Sequence, residues 1–356
     1  MKARQILLLA AMCFTTIVCA QTVSNVVAKQ VGNTIEITYD LDKAADVSLL
    51  LSRDGGANYA ATPKSLSGDA GKNVTPGRKK IVWNLLQDGS EWNIERARFK
   101  VVAEDKSKKV FSVNGVSFTM ILVEGGTFTM GATSEQGSDC YDNEKPAHSV
   151  TLSDYYIGQT EVTQALWKAV MGSTVYQQRD KADKSWPIRG EGDNYPMYYI
   201  SWNECQEFVN KLNSLLSSQL GGKRFALPTE AQWEYAARGG RKSNGYKYSG
   251  SNTIDYVAWY TDNDNSSSAT HPVATKSANE LGIYDMSGNV WEWCQDWYGS
   301  YSSASQTNPT GASSGSNRVK RGGSWGCSAS YCRVSYRIYN SPASRYSDLG
   351  LRLVCY

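Results

Sequence analysis

The feature that most narrows what this chain can fold into lies in its last quarter, where LGIYDMSGNVWEWCQDWYG (Leu281 to Gly299) is followed by RVKRGGSWGCSASYCRVSYR (Arg318 to Arg337). Neither block keeps a helical or strand period, so regular amphipathic packing cannot place its tryptophans, glycines and charged residues. Such blocks require an irregular backbone. Where irregular backbone is buried, its polar groups must be satisfied by side chains, water or ions. Many polar residues here are therefore expected to hold the fold as well as to serve any chemistry.

The 356 residues exceed one small domain and suit two. From Gln21 to Asp105 the pattern is short and alternating, in TIEITYDL (Thr34 to Leu41), DVSLLLS (Asp46 to Ser52), KKIVWNL (Lys79 to Leu85) and RFKVVAE (Arg98 to Glu104). These read as strands. With turn signals at Asp54-Gly55-Gly56 and Pro76-Gly77 between them, residues 21–105 are expected to form a β-sandwich of the immunoglobulin or fibronectin kind. The stretch has no histidine and no cysteine, so a spacer or interaction role is expected of it. Residues 106–110 are expected as a charged linker, and 111–356 as the second domain.

The first residues, MKARQILLLAAMCFTTIVCAQ, have a basic start, an apolar run from Ile6 to Val18 and a small residue at Ala20. They read as a secretory signal peptide cleaved after Ala20, which makes the protein exported, periplasmic or secreted. The apolar run is short for a membrane span and no second one follows. A net charge of +3, spread along the chain, argues against nucleic acid or an anionic membrane as partner. Cleavage removes Cys13 and Cys19 and leaves Cys140, Cys205, Cys294, Cys327, Cys332 and Cys355 in a compartment that permits disulfides, with no pairing selected.

Further blocks fill the second domain: FTMILVEGGTFTMG (Phe118 to Gly131), EKPAHSVTLSDYYIGQTEVT (Glu144 to Thr163), YPMYYISWNECQEFVNKLN (Tyr195 to Asn213) and RFALPTEAQWEYAARGG (Arg224 to Gly240). The first reads as two strands around Gly125-Gly126. Ser201 with Glu204, and Thr229 with Gln232, read as capping boxes. The helix after Ser201 would bury Phe208, Val209, Leu212 and Leu216 on one face, and the helix after Thr229 would carry Trp233, Ala236 and Ala237.

Together with the last-quarter motifs, these blocks resemble the formylglycine-generating enzyme or sulfatase-modifying factor family, from about Phe118 to the C-terminus. The resemblance implies an α+β fold, irregular and C-type-lectin-like, behind the all-β N-terminal sandwich. In catalytic members two cysteines bind Cu(I), and a cysteine of a sulfatase-type polypeptide is oxidised to formylglycine. Carried over, Cys327 and Cys332 become the catalytic and cofactor-binding residues, with Ser324 and Trp291 beside them; soft thiolates suit Cu(I). Two departures stand out. Ser328 follows Cys327 where catalytic members have histidine, and Arg333 follows Cys332 without the usual extra residues. A second reading therefore stays open, in which Cys332 is a scaffold residue before Arg333, Cys327 is incidental or disulfide-bonded, and the protein binds another envelope protein or a glycan without catalysis.

The family also binds structural calcium at positions matching Asp285, Gly288, Val290 and Glu292, oxygen ligands of the kind a hard cation needs. The alternative is that Asp285 and Glu292 bond backbone amides without metal. Only two histidines exist, His148 and His271, too few for a histidine-rich metal centre, and both are read as structural. Arg337 and Arg352 are read as buried arginines paired with carboxylates.

Overall fold

The computed structural model describes residues 23–87, 98–263 and 268–356. It divides between Lys106 and Ser107 into two compact units. The expected signal peptide lies outside the described residues.

The first unit contains β1 (Val23–Val31), β2 (Thr34–Leu41), β3 (Ala45–Ser52), β4 (Leu66–Gly68), β5 (Gly71–Val74), β6 (Gly77–Asn84) and β7 (Arg98–Glu104). They form two antiparallel sheets, ordered β1-β2-β6-β4 and β5-β3-β7. Alternation decides which side chains are inside: Ile35, Ile37, Tyr39 and Leu41 of β2 meet Val47, Leu49 and Leu51 of β3 and Trp83 of β6 in one core. Residues between them on each strand stay at least partly exposed.

The second unit opens with β8 (Lys108–Val113), so residues 108–110, expected as linker, are strand instead. Lys108 and Lys109 pair with Ile121 and Met120 of β9 (Val116–Val123) at a sheet edge. Lysines are tolerated there because their ammonium groups can leave the sheet while their stems cover apolar surface; Lys109 Nζ lies 5.3 Å from the Tyr156 ring. After β9 come β10 (Gly126–Met130), β11 (His148–Leu152), β12 (Tyr155–Gly158), α1 (Gln164–Met171), α2 (Val175–Ala182), α3 (Trp202–Leu215), α4 (Ser217–Leu220), β13 (Phe225–Ala226) and α5 (Glu230–Ala237). The last third adds β14 (Trp291–Trp297), β15 (Gln306–Thr307), β16 (Arg318–Arg321), β17 (Arg337–Asn340), β18 (Leu349–Leu351) and β19 (Val354–Cys355). The resulting sheets are β13-β19-β12-β9-β8, β10-β11-β15 and β17-β16-β14-β18. The unit is mixed α+β, with more strand than helix and long irregular connections.

Both capping boxes form: Ser201 Oγ accepts from Glu204 N, Thr229 Oγ1 accepts from Gln232 N, and the Glu204 and Gln232 side chains reach back to the cap backbones. Phe208, Val209, Leu212 and Leu216 are buried together with Cys205, a small residue of the apolar core.

In the irregular last third, buried ion pairs stand where regular strand packing would otherwise be. Arg321 meets Glu234, Arg333 meets Glu144, Arg337 meets Glu230 and Arg352 meets Glu292, every partner nearly or wholly inaccessible. Each guanidinium also donates to backbone carbonyls, as Arg352 does to Gly158 and Tyr284. These are the side-chain donors that irregular buried backbone needs.

Candidate functional site

Gly322-Gly323 follow β16, both at left-handed φ (101° and 75°). A Cβ on Gly323 would stand 2.6 Å from Cys332 Sγ, so glycine alone lets the turn close over that thiol. Ser324 follows, fully buried, its Oγ 2.9 Å from Asp348 Oδ2 and 3.1 Å from Cys327 Sγ. An ionised carboxylate only accepts, so the hydroxyl hydrogen goes to Asp348 and the Ser324 oxygen is left to accept from the Cys327 thiol. Asp348 also offers its backbone carbonyl to Trp291 N at 2.8 Å. The structure thus brings Ser324, Trp291 and Cys327 together through Asp348. Cys332 returns on the 3-10 turn Ala329–Cys332 and joins Cys327 in an apolar cluster with Tyr248, Val257 and Tyr260.

The two thiols differ in access. Cys332 is fully buried and Cys327 partly exposed, and both are free, as are Cys140, Cys205, Cys294 and Cys355. Burial pushes the Cys327 thiol up; burial and then the neighbouring Cys327 push Cys332 well above the usual thiol range. Two thiols in one apolar site, one closed off and one open, fit a soft monovalent ion in kind; binding it would displace a proton from each.

Two participants carried no signal in the sequence. Asp348 sits in a C-terminal stretch without a motif of its own. Lys320 is almost buried with Nζ 4.7 Å from the Trp291 ring; burial lowers its affinity for a proton, opposed by Asp348 and Cys327. Only the three-dimensional return of β18 and β16 to β14 places them here.

The calcium-type residues lie on the neighbouring turn. Asp285, at φ 59°, is buried and accepts from Ala274 N at 2.7 Å. Gly288 is pressed against Trp259, whose carbonyl oxygen would be 2.1 Å from an added Cβ. Val290 N donates to Glu161 Oε1 at 3.1 Å. Glu292 points elsewhere: Arg352 Nε and Nη2 take both its oxygens, and Trp233 Nε1 donates at 2.6 Å. Glu161, which had no local reason to be chosen, is a third buried carboxylate that feels Asp285, Glu292 and Arg352. Burial first, then the other carboxylates, push Glu161 well above the carboxylate range; burial pushes Asp285 up to about 6. Among the described residues no three carboxylate, histidine or cysteine side chains gather to hold a metal ion, so of these residues only Asp285 with the turn's carbonyls could supply oxygens to a hard cation, while Glu292 is engaged by Arg352.

His148 is buried, with Nδ1 3.1 Å from the Pro146 carbonyl, and His271 stacks on Trp259 with ring centroids 3.7 Å apart. These contacts place both rings against residues other than Cys327 and Cys332.

Residues 108–356 match the model of the sulfatase-modifying factor enzyme 1-like domain. A chaperone protein LppX of Paenibacillus barcinonensis is 35% identical over 270 residues, covering 67% of this chain and 90% of that protein. The formylglycine-generating enzyme of Streptomyces coelicolor is 31% identical over 287 residues, covering 65% and 87%. Among solved structures, the Treponema denticola variable protein 1 aligns with a TM-score of 0.60 at 35% identity, over 70% of this chain and 99% of that one.

Proposed function

Because the chain belongs to the sulfatase-modifying factor family, with residues 108–356 as its family domain, we propose that it is an exported oxidase converting a cysteine of a sulfatase-type polypeptide to formylglycine. The observation that carries this reading is the pair of free thiols in one apolar site, with the partly exposed Cys327 fixed by Ser324 and Asp348. Cys327 and Cys332 would hold Cu(I), which when bound supplies the electron transfer between a third sulfur and dioxygen. The protein's own residues bind and orient. Ser324, held by Asp348, sets the direction of the Cys327 thiol. Cys332 lies out of reach of solvent, and Trp291 and Tyr336, with ring centroids 5.9 Å apart, wall the site. Overall, the substrate CH2–SH loses two electrons and two protons and its carbon is hydrolysed, water supplying the CHO oxygen as the sulfur leaves as hydrogen sulfide, while dioxygen takes those two electrons and two more from an external thiol and becomes two waters. A structural calcium ion on Asp285 and the carbonyls of Gly288 and Val290, with Glu292 holding the turn through Arg352, belongs to the same proposal.

The test is mass spectrometry of a cysteine-containing sulfatase-type peptide after incubation with residues 21–356, Cu(I), oxygen and a reductant. Formylglycine made by the unchanged protein, lost in Cys327→Ser and reduced in Ser324→Ala, supports the oxidase. No conversion, with no copper retained, overturns it.

One observation favours a second reading, a non-catalytic scaffold that docks an envelope protein or glycan. Arg333, directly after Cys332, is locked to Glu144 at 2.7 and 2.8 Å, which ties the cysteine to the frame. The relatives named as a chaperone and as a variable protein match at 35%, against 31% for the Streptomyces formylglycine-generating enzyme. Under this reading Cys327→Ser changes nothing in partner capture. Cell fractionation tests the export that both readings share.

A further inference from the structure

Of the six arginines that follow Gly299, five form an ion pair with a glutamate: Arg321, Arg333, Arg337, Arg345 and Arg352. Arg318, at the start of β16, has no such partner among the described residues. Its guanidinium is held between two indoles instead, with Cζ 3.8 Å from the ring centre of Trp202 at the start of α3 and 3.3 Å from that of Trp297 at the end of β14. Trp202 is fixed in turn by its Nε1, which donates to the Cys294 carbonyl at 2.9 Å. All three side chains are half-buried, so the stack reaches the surface.

The hydrogen bonds of Arg318 are as incomplete as its charge. Nη1 donates to the Gln295 carbonyl at 2.7 Å. Nε, enclosed by protein, has no acceptor among the described residues, and Nη2, which is not enclosed, has none either. These two nitrogens form one edge of the guanidinium plane. It is the edge that Arg337 presents to Glu230, at 2.7 Å from each nitrogen, and that Arg352 presents to Glu292, at 3.0 and 2.7 Å. In both, a carboxylate faces the fork. Asn340 stands directly opposite Arg318 across the β16–β17 ladder, and directly opposed residues put their side chains on one face of a sheet. Asn340 Oδ1 is also enclosed, and no donor among the described residues reaches it. Neighbouring side chains thus hold an unmet donor edge and an unmet acceptor, and they do not bond each other.

An enclosed polar atom without a partner is costly, and an uncompensated charge more so. The acid that acts on Arg318 is Asp296, which forms no ion pair with it; burial first, and then Glu230, push that carboxyl up to about 8, so at neutral pH it is mostly protonated and leaves the guanidinium charge uncompensated. A ligand that completes the set carries a carboxylate for the open edge of Arg318 and, beside it, a hydroxyl for Asn340. Its carbon frame would lie along the half-exposed rims of Trp202 and Trp297, which offer apolar surface to its C–H groups. A carboxylate, a neighbouring hydroxyl and a compact C–H surface together describe a sugar acid.

We propose that the Trp202–Arg318–Trp297 stack and Asn340 form a binding site for a sugar acid, its carboxylate on the Nε–Nη2 edge of Arg318 and a neighbouring hydroxyl donating to Asn340 Oδ1. The site shares no residue with the thiols or the calcium-type turn and depends on neither functional reading. The test is a titration of isotope-labelled protein, residues 21–356, followed by the indole N–H signals in NMR. The Trp202 and Trp297 signals should shift saturably with D-glucuronate, with an affinity at least about tenfold higher than for methyl glucoside, which keeps the ring without the carboxylate. Arg318→Lys keeps the charge but loses the fork, and should weaken glucuronate by about tenfold or more. Asn340→Ala lies outside the stack and should bring glucuronate down toward acetate, the carboxylate without a hydroxyl. Unchanged signals from the other tryptophans show that each variant is folded. Equal affinity for glucuronate and glucoside, undiminished glucuronate affinity in folded Arg318→Lys or Asn340→Ala, or no saturable shift at Trp202 and Trp297 would overturn the proposal.

Discussion

The two units solve the same problem, removal of a backbone from water, by different means. In the first, neighbouring strands pair along their length and the side chains have only to alternate: Ile37, Tyr39, Leu49 and Trp83 are almost wholly buried and carry the core. In the last third of the second, strands are short, loops are long, and Arg321, Arg333, Arg337 and Arg352 are buried against glutamates far away in sequence. One unit is held by area, the other by placed charges. Apolar burial is non-directional and forgives small shifts, whereas a buried ion pair is stable only while both partners stay in register.

The largest effect that would test this contrast is expected for Glu144→Ala. It strands Arg333 and removes the acceptor of Tyr141 N and Ser335 Oγ, so a loss of about 3–5 kcal/mol is expected in denaturant unfolding. Burial raises the Glu144 carboxyl, but hydrogen bonds from Arg333, Ser335 and Tyr141 N outweigh it and hold it below the usual value of 4.5. Its stabilisation is therefore full above that value in the unfolded chain and fades as pH falls below it. A loss under about 1 kcal/mol, the scale of an exposed pair, would show that the buried pairs are not what holds this region.

In the area-held unit, Ile37→Ala should cost about 2–5 kcal/mol, because it leaves a cavity among close-packed side chains. Hydrogen exchange is the sharper readout. Faster exchange is expected in peptides from residues 34–84; if it spreads equally through 108–356, the two units do not stand on separate cores.

Asp285→Asn should act with the opposite sign. The folded carboxyl is raised from 3.8 to about 6, so its protonated form is favoured by folding. The stability linked to it is present below the unfolded value and lost as pH rises through about 6, which amounts to roughly 3 kcal/mol at most by neutral pH. In EDTA at pH 7 the asparagine variant is expected to be more stable by about 1–3 kcal/mol, with the gain shrinking toward pH 4. If calcium occupies the turn, adding it should raise the melting temperature of the unchanged protein and not of the variant.

How much of this was legible in the sequence follows from the range of each interaction. Strands β2, β3, β6 and β7 lie within two residues of where alternation puts them, since alternation is local. The caps at Ser201 and Thr229 span three residues and could be read directly. Strand β8 was missed as linker because charged residues occupy its edge positions. Ser324, Cys327 and Cys332 could be picked out by motif, but Asp348, which joins Ser324 to Trp291, could not: it bonds a hydroxyl 24 residues away, and no periodicity encodes that. Glu161 and Glu144 escaped for the same reason, the latter meeting Arg333 189 residues on.

The smallest expected effect gives a direct comparison, because it sets an exposed cation–carboxylate pair against a buried one. Lys80 Nζ and Glu36 Oε1 are 3.2 Å apart on the first unit's surface, with side chains 51% and 33% exposed; Arg333 and Glu144 also pair a cation with a carboxylate, with no exposure at all. Water already solvates both ends of the surface pair, so Lys80→Ala removes a weak attraction and leaves no stranded charge, at a cost of about 0–1 kcal/mol. That small cost should vanish as salt is raised toward 1 M, where the screening length is about 3 Å, while the cost of Glu144→Ala should scarcely move because no ions reach it. Measuring both variants at low and high salt separates placement from mere opposite charge. If Lys80→Ala proved as costly as Glu144→Ala, or if both faded alike with salt, burial would not be what makes the second unit's pairs matter, and the distinction between an area-held and a charge-held unit would fail.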